Sequence, residues 1–141
     1  MDNKNRQEQN YPTKQVPDNF LAEMVEKGLN KEFIDKADRL GKTLVDNKLT
    51  TSQIRRIFGH VKKIEGYKDP KKFLPQLIML KPLLAYQAKR HSKVKPLEDV
   101  LTKGIDTVIA ETDEEKLLQK FRLFCMGFEA ILAYHRAYGG N

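Results

Sequence analysis

Residues 50–65, TTSQIRRIFGHVKKIE, set four fixed cations, Arg55, Arg56, Lys62 and Lys63, around a glycine. On a helix turning about 100° per residue, Arg55, Gly59 and Lys62 fall in one row, and Arg56, His60 and Lys63 in a second row beside it. Ile54, Ile57, Phe58, Val61 and Ile64 gather on the opposite side. Guanidinium and ammonium groups in two outward rows suit the oxygens of a phosphate backbone. A mid-helix glycine costs ~1 kcal/mol relative to alanine. Close approach of a sugar-phosphate chain, or of another helix, to Gly59 would offset that cost; the alternative for this helix alone is a solvated basic face with a tolerated glycine.

The cations continue past this helix with Lys68, Lys71 and Lys72, then Lys81, then Lys89, Arg90, His91, Lys93 and Lys95. Antiparallel packing of neighbouring helices would merge these clusters into one stripe. Aromatics are few here. Tyr67 can stack on a base, while Tyr86 lies in a helical stripe and is assigned to the core. The pattern points to phosphate contact that is nearly independent of base sequence and strongly dependent on salt.

The charge distribution supports this reading. The chain of 141 residues carries a net +7. Residues 48–95 hold 13 Lys/Arg against 2 Asp/Glu, whereas both flanks are mildly acidic. A surface that only keeps a protein soluble mixes its signs, and this segment nearly excludes acids.

Catalytic and metal-binding patterns are absent from the sequence. His60, His91 and His135 are far apart, and none forms an HxxxH or ExxH pair. Glu129 and His135 are six residues apart and fall on different helix faces. Cys125 lies between Phe124 and Phe128, which makes it a packing thiol, and a single cysteine allows no internal disulfide. Asp113, Glu114 and Glu115 suit the first turn of a helix, where the dipole favours acids. No phosphate-cradling glycine loop occurs. No cofactor or metal site is expected.

The elements that must position the cations all follow the helical repeat. Residues 1–15 are polar and read as a flexible, disordered N-terminal tail, leaving residues 16–141 as a single helical domain. A short helix is expected over about Asp18–Lys27. A second is capped by Asn30 and has Phe33, Ile34, Ala37, Leu40, Leu44 and Val45 as its stripe. Thr50 and Gln53 form a capping box for the cationic helix, which should stop near Gly66. Asp69-Pro70 starts the next, and Pro75 and Pro82 are expected to break residues 70–91 into pieces with a joint near Lys81. Pro96 opens a helix with Leu97, Val100, Leu101, Ile105, Val108 and Ile109 inward. Thr112 and Glu115 form a second capping box for a long final helix ending at Gly139-Gly140. No alternating strand pattern is present, so the fold class is all-α, a compact bundle of five to six helices. No apolar run approaches the ~18 residues that span a bilayer, and MDNKNRQEQN lacks the features of a secretory signal. The expected location is the cytoplasm.

Three segments, LTTSQIRRIFGHV (49–61), LKPLLAYQAKR (80–90) and FRLFCMGFEAILAYHRAYGG (121–140), resemble the small subunit of the type III-A CRISPR effector, the short helical protein of the Csm complex. Their order and spacing fit that family from about Pro17 to Gly140. The resemblance implies an all-helical, noncatalytic protein. Several copies of it would stack inside a ribonucleoprotein in antiviral defence and hold the backbone of the guide (CRISPR) RNA and its target RNA. Its partners would be copies of itself and the other Csm-complex subunits, including the large subunit and the backbone subunits. By motif, Arg55, Arg56, Lys81 and Arg90 carry over as RNA-contacting, with Lys89 beside Arg90. Gly59, Lys62 and Lys63 join them from the wheel alone. Tyr134 and His135 match the family and are assigned to packing the last helix.

Three other readings compete. TTSQIRRI could serve as the recognition helix of a helix-turn-helix DNA-binding regulator, although VDNKL lacks the usual glycine of that turn. A metal-independent ribonuclease would use His60 or His91. A protein adaptor would bring its basic stripe against an acidic partner.

Overall fold

The computed structural model describes residues 16–140. The tail expected over residues 1–15 lies outside them. Six α-helices follow in order: α1 (Phe20–Lys27), α2 (Lys31–Asp46), α3 (Thr51–Glu65), α4 (Pro70–Arg90), α5 (Lys95–Ile109) and α6 (Glu114–Ala137). A short 3-10 turn, Ser92–Val94, precedes α5. No strand occurs among the described residues. The all-α bundle expected from the sequence is therefore formed.

Local chemistry fixes most of the helix ends. The Asn30 side chain accepts from the Phe33 N–H at 2.8 Å. Thr50 and Gln53 form the reciprocal capping box, with Gln53 N–H donating to Thr50 Oγ1 at 3.2 Å and Thr50 N–H to Gln53 Oε1 at 2.9 Å. Such a cap is worth about 1 kcal/mol, so α3 begins at a defined residue and its cations have a defined phase. Asp69 caps α4 through the Lys71 N–H, with Pro70 in the first turn. At the start of α6 the structure corrects the sequence reading: Asp113, and not Thr112, is the cap, accepting from the Lys116 N–H at 2.9 Å. The shorter Asx side chain does here what the Thr112/Glu115 box was expected to do.

A second correction concerns residues 70–91, which form one continuous helix in place of broken pieces. Pro75 and Pro82 are both exposed, and at a seven-residue spacing they share the outer face of α4. Their missing N–H groups release the carbonyls of Lys71 and Ile78, which water can satisfy on that side. Phe73, Leu77, Leu80 and Leu84 meanwhile keep an uninterrupted buried stripe on the inner side. Burial of that stripe outweighs two lost backbone hydrogen bonds.

The final helix, α6, packs against all five others and forms the axis of the core. Phe121 stacks on Phe73 of α4 with ring centroids 5.0 Å apart, and Phe128 meets Phe58 of α3 edge to face at 5.1 Å. These aromatic contacts hold α3 and α4 side by side against α6. Opposite, α2 approaches α6 so closely that a Cβ on Gly41 would lie 2.6 Å from Tyr134 Cβ and 2.9 Å from the His135 backbone nitrogen. The chain leaves α6 through the expected Gly139-Gly140 signal. Gly139 has φ +86°, and the Gly140 and Gly139 N–H groups donate back to His135 and Arg136 carbonyls.

His135 and Cys125 sit in the interior, as packing residues should. His135 is fully buried, and its Nε2 lies 2.7 Å from the Leu49 carbonyl just before α3. That bond ties the end of α6 to the entry of the cationic helix. Glu129 is exposed on another face of α6. Burial pushes the Cys125 thiol well above its ordinary pKa, which removes its nucleophilic form at neutral pH.

Candidate nucleic-acid interface

With Ile54, Ile57, Val61 and Ile64 buried, α3 turns Arg55, Arg56, Gly59, His60, Lys62 and Lys63 to solvent. The two rows face different neighbours. Lys62 lies toward α6. It pairs with Glu65 at 2.8 Å and sits 5.9 Å from the Phe58 ring centroid, and the Glu65 hydrogen bond raises its pKa above the ordinary lysine value. Arg56, His60 and Lys63 lie toward α4. His60 and Lys63 line an open groove of about 340 Å³ between the two helices, together with Ile64, Tyr67, Gln76, Met79, Leu80 and Leu83. Arg55 and Gly59 occupy the crest between the two directions. A Cβ placed on Gly59 would meet nothing within 4 Å. No protein contact therefore requires this glycine.

The single stripe expected from the clusters is divided by the packing of α4. On the flank that faces α3, helical spacing places Lys72, Met79, Leu83, Tyr86 and Arg90. Lys81 is turned to the other flank and forms an ion pair of 2.5 Å with Asp106 of α5. Lys89 is exposed on the outer face near the end of α4. Tyr86, assigned to the core from the sequence, is 55% exposed. It sits two residues past the buried Leu84, which at helical pitch is the opposite side. Its ring carries the Arg90 guanidinium 5.7 Å from the centroid, and Arg90 Nη1 donates to Tyr86 Oη at 3.5 Å. Arg90 is thus held over an aromatic face and stays exposed.

The scarcity of acids distinguishes this surface from the rest. On the other helices some lysines meet acids: Lys42 with Asp46, Lys103 with Asp18, Lys120 with both Glu26 and Glu111. Among the described residues of the 48–95 segment, only Lys62, Lys81 and Lys95 reach a carboxylate. Arg55, Arg56, Lys63, Lys89 and Arg90 form no ion pair within the described residues. A group of exposed, uncompensated cations on two packed helices creates a positive potential that attracts a polyanion.

The alternative chemistries find little support in the geometry. No group of three or more His, Cys, Asp or Glu among the described residues is placed to hold a metal ion. For a helix-turn-helix, α2 and α3 would have to pack on one another. Instead α2 lies against α6, and α3 against α6 and α4. The turn between α2 and α3 uses Lys48 at φ 71° in the position where such motifs carry glycine. No described helix is long and apolar enough to cross a membrane.

The exposed tyrosines and the α3–α4 groove were only partly visible in the sequence. Tyr67 was identifiable as an aromatic beside cations. The groove was not, because it depends on which face of the continuous α4 is left over once its core stripe is buried.

Comparison with known proteins gives two matches. A family model described as Csm2 Type III-A matches residues 27–141. A curated relative from Streptococcus thermophilus, named "CRISPR system Cms protein Csm2", is 32% identical over 121 residues, covering 79% of this chain and 95% of the relative. No solved structure matches the chain.

Proposed function

The chain belongs to the Csm2 Type III-A family, the small subunit of the type III-A Csm complex, and from that premise we propose that it is a noncatalytic RNA-binding subunit. It grips the backbone of guide and target RNA in a CRISPR ribonucleoprotein of antiviral defence. The observation that carries this reading is the row of exposed cations on α3 and α4, Arg55, Arg56, Lys63, Lys89 and Arg90, without compensating carboxylates among the described residues. Arginine at three of the five positions suits bidentate contact with phosphate. Lys62 and Lys81 lie at the edges of the surface, partly neutralised by Glu65 and Asp106. Gly59 supplies the point of closest backbone approach. The proposed partners are guide and target RNA, the large and backbone subunits, and further copies of this chain, in the cytoplasm.

Phosphate contact without base readout makes the binding sequence-tolerant. Purification from the native host tests the reading in its natural setting: wild type should emerge with RNA and larger subunits. Reversing Arg55 and Arg90 to Glu should strip the RNA. A protein that emerges alone, or one whose RNA content ignores the reversal, contradicts the proposal.

A further inference from the structure

The groove between α3 and α4 has a floor unlike the rest of the basic surface. Tyr67 is 43% exposed and Met79 64% exposed, and Ile64, Leu80 and Leu83 line the space between them. Gln76 contributes an amide, which can both donate and accept. The rim carries cations, with Lys63 beside His60 on the α3 side, Arg56 two turns before Lys63 and Lys72 at the start of α4. We propose that this groove is a binding site for one unstacked nucleobase, with the phosphate of the same nucleotide held by Lys63. The proposal rests on the RNA-binding reading above.

The chemistry of the site favours a nucleotide over a protein segment. An occupant must present a flat apolar face to Tyr67 and Met79 and an anion to a rim that holds no carboxylate. A single nucleotide carries both. An exposed tyrosine ring is the stacking platform that single-stranded nucleic-acid sites use, and a thioether adapts to either ring size. Such stacking accepts any base, which agrees with a surface that otherwise contacts phosphates. The Gln76 amide can pair with a donor or an acceptor edge, so it adds affinity without dictating a base.

The test separates the base from the charge. Binding of the full chain to oligouridine is compared with binding to an abasic ribose-phosphate strand of the same length and charge. Wild type should prefer oligouridine about tenfold, the ratio that corresponds to one base–aromatic stack. Tyr67→Ala and Met79→Asp should each abolish the preference while leaving binding to the abasic strand unchanged or, for the added acid, slightly weaker. Tyr67→Phe should restore it. Equal, strongly salt-dependent binding of both strands by wild type would overturn the base site and leave the RNA reading intact. Binding of neither strand would overturn the RNA reading itself. If Tyr67→Ala keeps the preference but releases the chain from its partner subunits, the groove holds protein and the proposal is wrong.

Discussion

Lys81 of α4 and Asp106 of α5 form an ion pair of 2.5 Å, and this contact holds Lys81 on the flank of α4 away from the cationic row of α3. Both side chains are substantially exposed, so the pair is worth at most about 1 kcal/mol and biases the lysine without locking it. Lys81→Ala should therefore weaken RNA binding less than Arg55→Ala or Arg90→Ala. Asp106→Asn should strengthen it about twofold at low salt, the scale of one surface charge in high dielectric. Titration of a labelled single-stranded RNA measures both. If Lys81→Ala proves the most damaging of the three, the lysine leaves Asp106 to reach RNA and the division of the surface is wrong.

Gly59 and Gly41 make opposite predictions although both lie inside helices. Space around Gly59 is open, so Gly59→Ala should stabilise the fold by roughly 0.5–1 kcal/mol through helix propensity. Gly41 touches the backbone of α6, which has no way to give, so Gly41→Ala should destabilise by roughly 1–3 kcal/mol. Urea unfolding reads both signs. A bulky residue at Gly59, such as Leu, should weaken RNA binding while leaving the unfolding midpoint at or above that of wild type. Loss of stability without loss of binding would assign Gly59 to the fold.

Acid should weaken the hold of the α5–α6 turn on α6 through one identifiable group. Glu111 accepts a hydrogen bond from Lys120, which holds its carboxyl below the ordinary value of 4.5. A depressed carboxyl contributes stability that is fully present above its unfolded pKa and is lost as pH falls through the folded one. Thermal unfolding of Glu111→Gln should thus fall less steeply than wild type between about pH 5 and pH 3, with the two converging at the acid end. Parallel curves would show that the Lys120 contact does not persist in solution.

The parts of this protein that were legible in its sequence are those set by local rules. Asn30, Thr50, Gln53 and Asp69 fix helix starts within a few residues of themselves, and the apolar stripe of α3 fixes the phase of Arg55 and Arg56 without tertiary information. The errors came where tertiary packing overrides local preference. Pro75 and Pro82 would break an isolated helix, but both face solvent while the stripe from Phe73 to Leu84 is buried. Tyr86, read as core, is exposed for a related reason. Nearly every position of α4 is apolar or basic, so periodicity alone does not say which side is the core or which flank meets α3. The separation of Lys62 from Lys63 into two directions likewise needed the position of α6.

The central claim is that exposed cations on α3 and α4 hold RNA by its phosphates, and the slope of log Kobs against log salt concentration tests it most directly. For single strands the slope is about −0.7 for each phosphate neutralised. Wild type should show a steep negative slope, and the double variant Arg55→Ala, Arg56→Ala should flatten it by about 1.4, two phosphate contacts' worth, while its unfolding midpoint stays unchanged. A slope near zero for wild type, or one that the double variant leaves intact, would contradict the account.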